Sequence, residues 1–73
     1  MSSNFPERLK YMRKKASLTQ KEIASKLNIQ RVTYSHYETG RSQPSIDTLI
    51  LLTNIFDCSI DYLVGISDNP KRG

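Results

Sequence analysis

The residues that could make or break bonds are few. Cys58 is the only cysteine and His36 the only histidine, and they fall in different predicted helices. One thiol allows no internal disulfide and no cysteine-based zinc site. Cys58 stands just before a short apolar segment, a position that suits a small buried hydrophobe. There is no glycine-rich phosphate loop and no paired-carboxylate motif, and Asp47, Asp57 and Asp61 are read near helix starts, where a carboxylate favours the dipole. No catalytic residue, metal ligand or cofactor is assigned on these grounds, and an enzyme is not expected. A different chemistry sits on a short segment that ends in Gly40. If Tyr34 and Tyr37, at i and i+3, face inward, then Arg31, Val32, Ser35 and His36 are left outward. A guanidinium, an apolar side chain, a hydroxyl and an imidazole recognise a surface. Such residues on a short helix are unremarkable alone, so their meaning depends on the elements that hold them.

Those elements are read from Thr19 to Gly40 as a helix, a tight turn and a second helix. Thr19 can cap the first of the two, and Glu22 completes a Thr-x-x-Glu capping box. Leu18 outside the cap and Ile23 inside it form a hydrophobic staple; Ile29 and Tyr34 repeat the device around a cap at Gln30. Asn28 falls where the turn needs positive φ, which Asn tolerates better than most residues. Gly40 closes the second helix in the left-handed conformation. Ile23, Ala24 and Leu27 make the buried side of the first helix, and the smallness of Ala24 allows the next helix to cross closely.

Three further helices flank this unit. Asn4 can cap one from Phe5 to about Ala16, with Phe5, Leu9, Met12 and Ala16 on one face and Arg8, Lys10, Lys14 and Lys15 on the other. After a loop ended by Pro44, Ser45 can cap a helix from Ile46 to about Phe56, whose core positions are read as Ile46, Leu49, Ile50, Leu52 and Phe56. A turn at Asp57-Cys58 precedes a last short helix from Ile60 to Val64, capped by Ser59 and followed by Gly65. Leu51, Ile55, Ile60 and Tyr62 are apolar positions surplus to this core, and they are the candidates for a dimer interface or, equally, completion of the core. Five short helices and no convincing strand indicate a compact all-α domain over residues 1–66, with a polar, flexible tail at 67–73.

Charge is unevenly placed along the chain. Residues 1–41 hold nine Lys/Arg against three Asp/Glu, whereas residues 42–73 hold two against four, giving +4 in all. A basic half on a small domain points to a polyanionic partner. No apolar run approaches the roughly 20 residues that span a bilayer, and MSSNFPERLK has no signal-peptide core. A cytoplasmic location away from membranes is therefore expected.

With LTQKEIASKLNI, YETGR, PSIDTL and CSIDYLVG in place, residues 5–65 resemble the Cro/C1-type (lambda-repressor-like, XRE) helix-turn-helix domains. Two departures stand out: Asn28 replaces the usual turn glycine, and Gln30 replaces the usual Ser/Thr cap. The resemblance implies a sequence-specific, double-stranded DNA-binding regulator, repressor-like, meeting a two-fold symmetric operator as a homodimer. It implies base contacts from Arg31, Val32, Ser35 and His36, where Arg31 meets either guanine or phosphate and Val32 either a thymine methyl or the core edge. It implies backbone contacts from Thr19, Gln20, Lys21, Thr33 and Arg41, with Gln20 on a phosphate at its helix start. Arg13 and Glu38 match a structural ion pair of the family. Some relatives also bind a protein, such as an anti-repressor or a toxin.

Overall fold

The computed structural model describes residues 5–65 and 71. The expected cap at Asn4 and the tail from residue 67, apart from residue 71, lie outside them. Five helices follow in order: α1 (Phe5–Lys15), α2 (Gln20–Leu27), α3 (Arg31–Thr39), α4 (Ile46–Phe56) and α5 (Ile60–Leu63), with no strand among the described residues. None is long and apolar enough to cross a membrane.

Local signals set most of the boundaries. Thr19 Oγ1 accepts from the Glu22 amide at 3.0 Å while the Glu22 carboxylate accepts from the Thr19 amide at 2.8 Å, so the capping box is complete. Ser45 caps α4 and Ser59 caps α5 through their hydroxyls. Asn28 ends α2 at φ 58°, and its amide reaches back to the Ala24 and Ser25 carbonyls. Gly40 ends α3 at φ 79°. Ser17 and Asp57 also take positive φ, at 59° and 51°. Asp57 is thus the C-cap of α4 and not a helix-start carboxylate as expected, because the left-handed turn needs a residue whose short polar side chain tolerates it.

α2 and α3 pack on each other, α1 lies across α3, and α4 and α5 close the far side against α2 and α1. Leu9, Ile23, Tyr34, Leu52 and Leu63 are fully enclosed, with Phe5, Met12, Ala24, Leu27, Tyr37 and Cys58 completing the core. Ala24 is where the Ile29 amide returns to bond, so the turn and the close α2–α3 crossing share one small residue.

Three expectations of packing are corrected. Ala16 follows the end of α1 and is exposed. On α4 the inward stripe is Leu49, Leu52, Thr53 and Phe56, at i, i+3, i+4 and i+7, which turns Ile46 and Ile50 to the flank, 67% and 48% exposed. Thr53 enters this stripe because its hydroxyl donates to the Ile50 carbonyl at 2.7 Å and leaves no buried donor unmet. Arg8 is not a free surface cation: it donates to the Tyr62 carbonyl at 3.0 Å, and its guanidinium lies 4.2 Å from the Tyr62 ring centre.

Gln30 occupies the cap of α3 in extended backbone, yet its side chain makes no capping bond. Gln30→Ser is expected to raise stability by about 0.5–1 kcal/mol, since a short hydroxyl reaches the free amides of the first turn. Thermal unfolding followed by circular dichroism checks this; an unchanged or lower Tm counts against it.

Candidate nucleic-acid interface

α3 is anchored from beneath. Tyr34 and Tyr37 are buried, meeting edge to face with ring centres 6.2 Å apart. One turn beyond Tyr34, Glu38 folds its carboxylate under the helix, where its side chain is only 4% exposed. Arg13 of α1 grips it with two nitrogens, Nε at 2.6 Å and Nη2 at 3.3 Å, and uses Nη1 to bond the Leu18 carbonyl at 2.9 Å. The Tyr34 hydroxyl donates to Glu38 Oε2, and the Gln20 amide donates to Oε1 at 3.1 Å. Three helices therefore converge on one carboxylate.

The charges respond to this arrangement. Burial pushes the Glu38 carboxyl up, but the bonds from Arg13, Tyr34 and Gln20 together outweigh it and hold its pKa below the ordinary value. The bond to Glu38 raises the Arg13 guanidinium further against the opposing effect of burial. Burial and the Glu38 bond both drive the Tyr34 hydroxyl far up, so it remains a donor. The expected Arg13–Glu38 pair is present. The tie from Tyr34 was not foreseen, because a tyrosine at an inward position reads only as core.

Above this anchor the outer face of α3 opens to solvent. Arg31 is exposed, Val32 is 50% exposed, and Ser35, His36 and Thr33 are half-buried. Arg31 is held from the side: its Nη1 donates to Gln20 Oε1 at 3.1 Å. Gln20, expected on a phosphate at its helix start or simply solvated there, also links Glu38 to Arg31, and the eleven-residue gap between 20 and 31 carried no sign of it. Lys21 and Arg31 line one open cleft of about 570 Å³ with Asn28, Ile29 and Gln30 at the start of α3. Thr19 is exposed with its hydroxyl engaged in the cap, and Arg41 stands exposed just past the other end of the helix. Arg31, Lys21, Gln20 and Val32 are thereby gathered around one helix start, with Arg41 at the opposite end.

The other expected cluster is split. Leu51 and Ile60 are exposed, at 46% and 38%, whereas Ile55 and Tyr62 are half-buried and pack against the core. Cys58 is buried, and no group of three or more His, Cys, Asp or Glu side chains could hold a metal ion among the described residues.

The Helix-turn-helix family model matches residues 9–63. The chain is 46% identical over 66 residues to the HTH-type transcriptional regulator ImmR of Bacillus subtilis (strain 168), covering 90% of this chain and 52% of ImmR. It spans about half the length of the curated relatives it matches. A transcriptional regulator from Listeria innocua has a crystal structure similar at a TM-score of 0.85 and 38% identity, over 89% of this chain and 61% of that one. The P22 c2 repressor, in complex with synthetic operator 9T, is similar at a TM-score of 0.79 and 27% identity, over 86% and 96% of the two chains.

Glu38→Gln is expected to cost about 3 kcal/mol at neutral pH, because it leaves Arg13 as an unpaired buried charge. The native carboxyl titrates below its unfolded value near 4.5, so its contribution is complete above that pH and is lost as pH falls through the lower, folded value. Denaturant unfolding at a series of pH values should show the gap between native and variant closing below pH 4.5; a gap constant with pH contradicts the assignment.

Proposed function

This chain belongs to the helix-turn-helix family of Cro/C1 type, and we propose that it binds double-stranded DNA sequence-specifically as a repressor-like transcriptional regulator. The observation that carries this reading is the outer face of α3, a helix pinned from below whose exposed side offers Arg31 and Val32 beside an N-terminus without a side-chain cap. In this reading α3 enters the major groove. Arg31, steadied by Gln20, reaches guanine O6 and N7, and Val32 meets a thymine methyl. Ser35 and His36 extend the same surface toward the base edges. Thr19, Gln20, Lys21, Thr33 and Arg41 meet phosphates on either side, and Lys21 and Arg41 supply charge.

The domain acts as a homodimer on a two-fold symmetric operator, with the two α3 helices about 34 Å apart. Leu51 and Ile60 give the exposed apolar part of the contact between copies, with Ile55 and Tyr62 behind them. Support comes from the P22 c2 repressor, a similar chain described with an operator, and from ImmR, a similar transcriptional regulator. Such a regulator works in the cytoplasm, beside the DNA it controls.

Selection from a random duplex library tests the reading, and a symmetric consensus with half-sites one helical turn apart is the expected product. Arg31→Ala should then lose about 1–3 kcal/mol on the consensus and lose preference at one base pair per half-site. Lys21→Ala should weaken all sequences equally and flatten the dependence of log affinity on log salt by about 0.9 per protomer, about 1.8 for the dimer. Binding without any selected consensus, or identical effects of the two substitutions, would overturn the assignment of roles.

A further inference from the structure

Thr19, Ser45 and Ser59 each turn a hydroxyl back onto the helix they cap. Gln30 stands in the same position before α3, but its longer side chain does not return to the first-turn amides. That side chain forms no hydrogen bond among the described residues. The backbone that carries it is fixed on both sides. The Ile29 amide donates to the Ala24 carbonyl at 3.0 Å, and the Gln30 carbonyl accepts from the amide of buried Tyr34 at 3.1 Å. Gln30 is exposed and lines the same open cleft as Lys21 and Arg31. A free amide is thus held at a set place beside the residue read as the guanine contact.

We infer that Gln30 is a further specificity-determining residue, which reads an adenine beside the guanine met by Arg31. The inference rests on the DNA reading above and adds one base to it. Its chemistry follows from the amide, which offers an acceptor and donors side by side. Adenine alone presents the complement in the major groove, a donor at N6 and an acceptor at N7. Guanine presents two acceptors there and leaves Gln30 Oε1 unmatched; thymine offers an acceptor and a methyl, cytosine a donor alone. An amide group left unmatched in a contact that excludes water costs free energy, so the wrong base is penalised. Position also favours a base over a phosphate. The first residues of a helix in the major groove are the ones that reach base edges. Lys21, in the same cleft, already supplies a cation for the backbone, and a phosphate would engage only the Nε2 hydrogens and leave Oε1 idle.

The test compares the base preferences of the whole 73-residue chain with those of Gln30→Ser and Gln30→Ala. Library selection is followed by competition among duplexes changed at single base pairs. The native chain should select an adenine beside the Arg31-dependent guanine and prefer it at least about fivefold over the other bases. Both variants should lose that preference and keep the guanine. Thermal unfolding of each variant accompanies the comparison, and Gln30→Ser, expected to raise the Tm, separates lost recognition from a weakened fold. A purely structural role would change stability and leave base preference unmoved. Retention of the adenine preference in both variants overturns the inference. Equal weakening on every sequence overturns it too, since Gln30 would then lie on a phosphate. A consensus whose guanine depends on Arg31, with no base that depends on Gln30, overturns it and leaves the DNA reading standing. No consensus from the native chain overturns both.

Discussion

A carboxylate taken out of water must be met by donors on every side, and Glu38 is withdrawn until 4% of its side chain remains exposed. Its donors come from three directions: Arg13 on α1, Gln20 at the start of α2 and Tyr34 one turn earlier on α3. That requirement fixes relations the hydrophobic core leaves loose. Apolar contacts between α1, α2 and α3 tolerate small slides and rotations; a bidentate guanidinium on one carboxylate does not. The exposed side of α3 is therefore oriented by what lies beneath it. The same network reaches the surface through Gln20, whose amide nitrogen donates to Glu38 and whose amide oxygen accepts from Arg31. The buried Arg13–Glu38 pair and the exposed Arg31 are two ends of one hydrogen-bonded chain.

The local punctuation of this fold was legible because it depends on neighbouring residues. The Thr19–Glu22 box, the serine caps at 45 and 59, the left-handed Asn28 and the closing Gly40 all take part within a turn of where they stand. Strong apolar periodicity located the buried stripes of α1, α2 and α3 for the same reason. Family motifs carried the Arg13–Glu38 pairing, which no spacing rule would have supplied.

What was not legible depends on how helices cross. α4 is apolar on most of its circumference, so its sequence offers several candidate stripes, and only contact with α2 and α5 selects Leu49, Leu52, Thr53 and Phe56. Ile46 and Ile50 fall outside that selection. Arg8 read as a surface cation because its partner, the Tyr62 carbonyl and ring, lies 54 residues away. The bonds of Gln20 to Glu38 and Arg31 went unseen because both partners are reached only after α2 and α3 have packed. Each miss is a long-range contact made by a side chain that local pattern places on the surface.

The domain thus shows two basic regions with different settings. One surrounds the start of α3, where Lys21 and Arg31 line one cleft and Val32 is exposed next to Arg31; the other is Lys10, Lys14 and Lys15 along the exposed side of α1. The central claim is that the first of these, presented by the Glu38 network, is the surface that meets DNA. Amide chemical-shift mapping of the isotope-labelled chain, titrated with duplex DNA, examines that claim most directly. Perturbations gathered at residues 19–21, 31–36 and 41, with 10–15 unmoved, are the predicted result. Perturbations along α1 with α3 silent would contradict it.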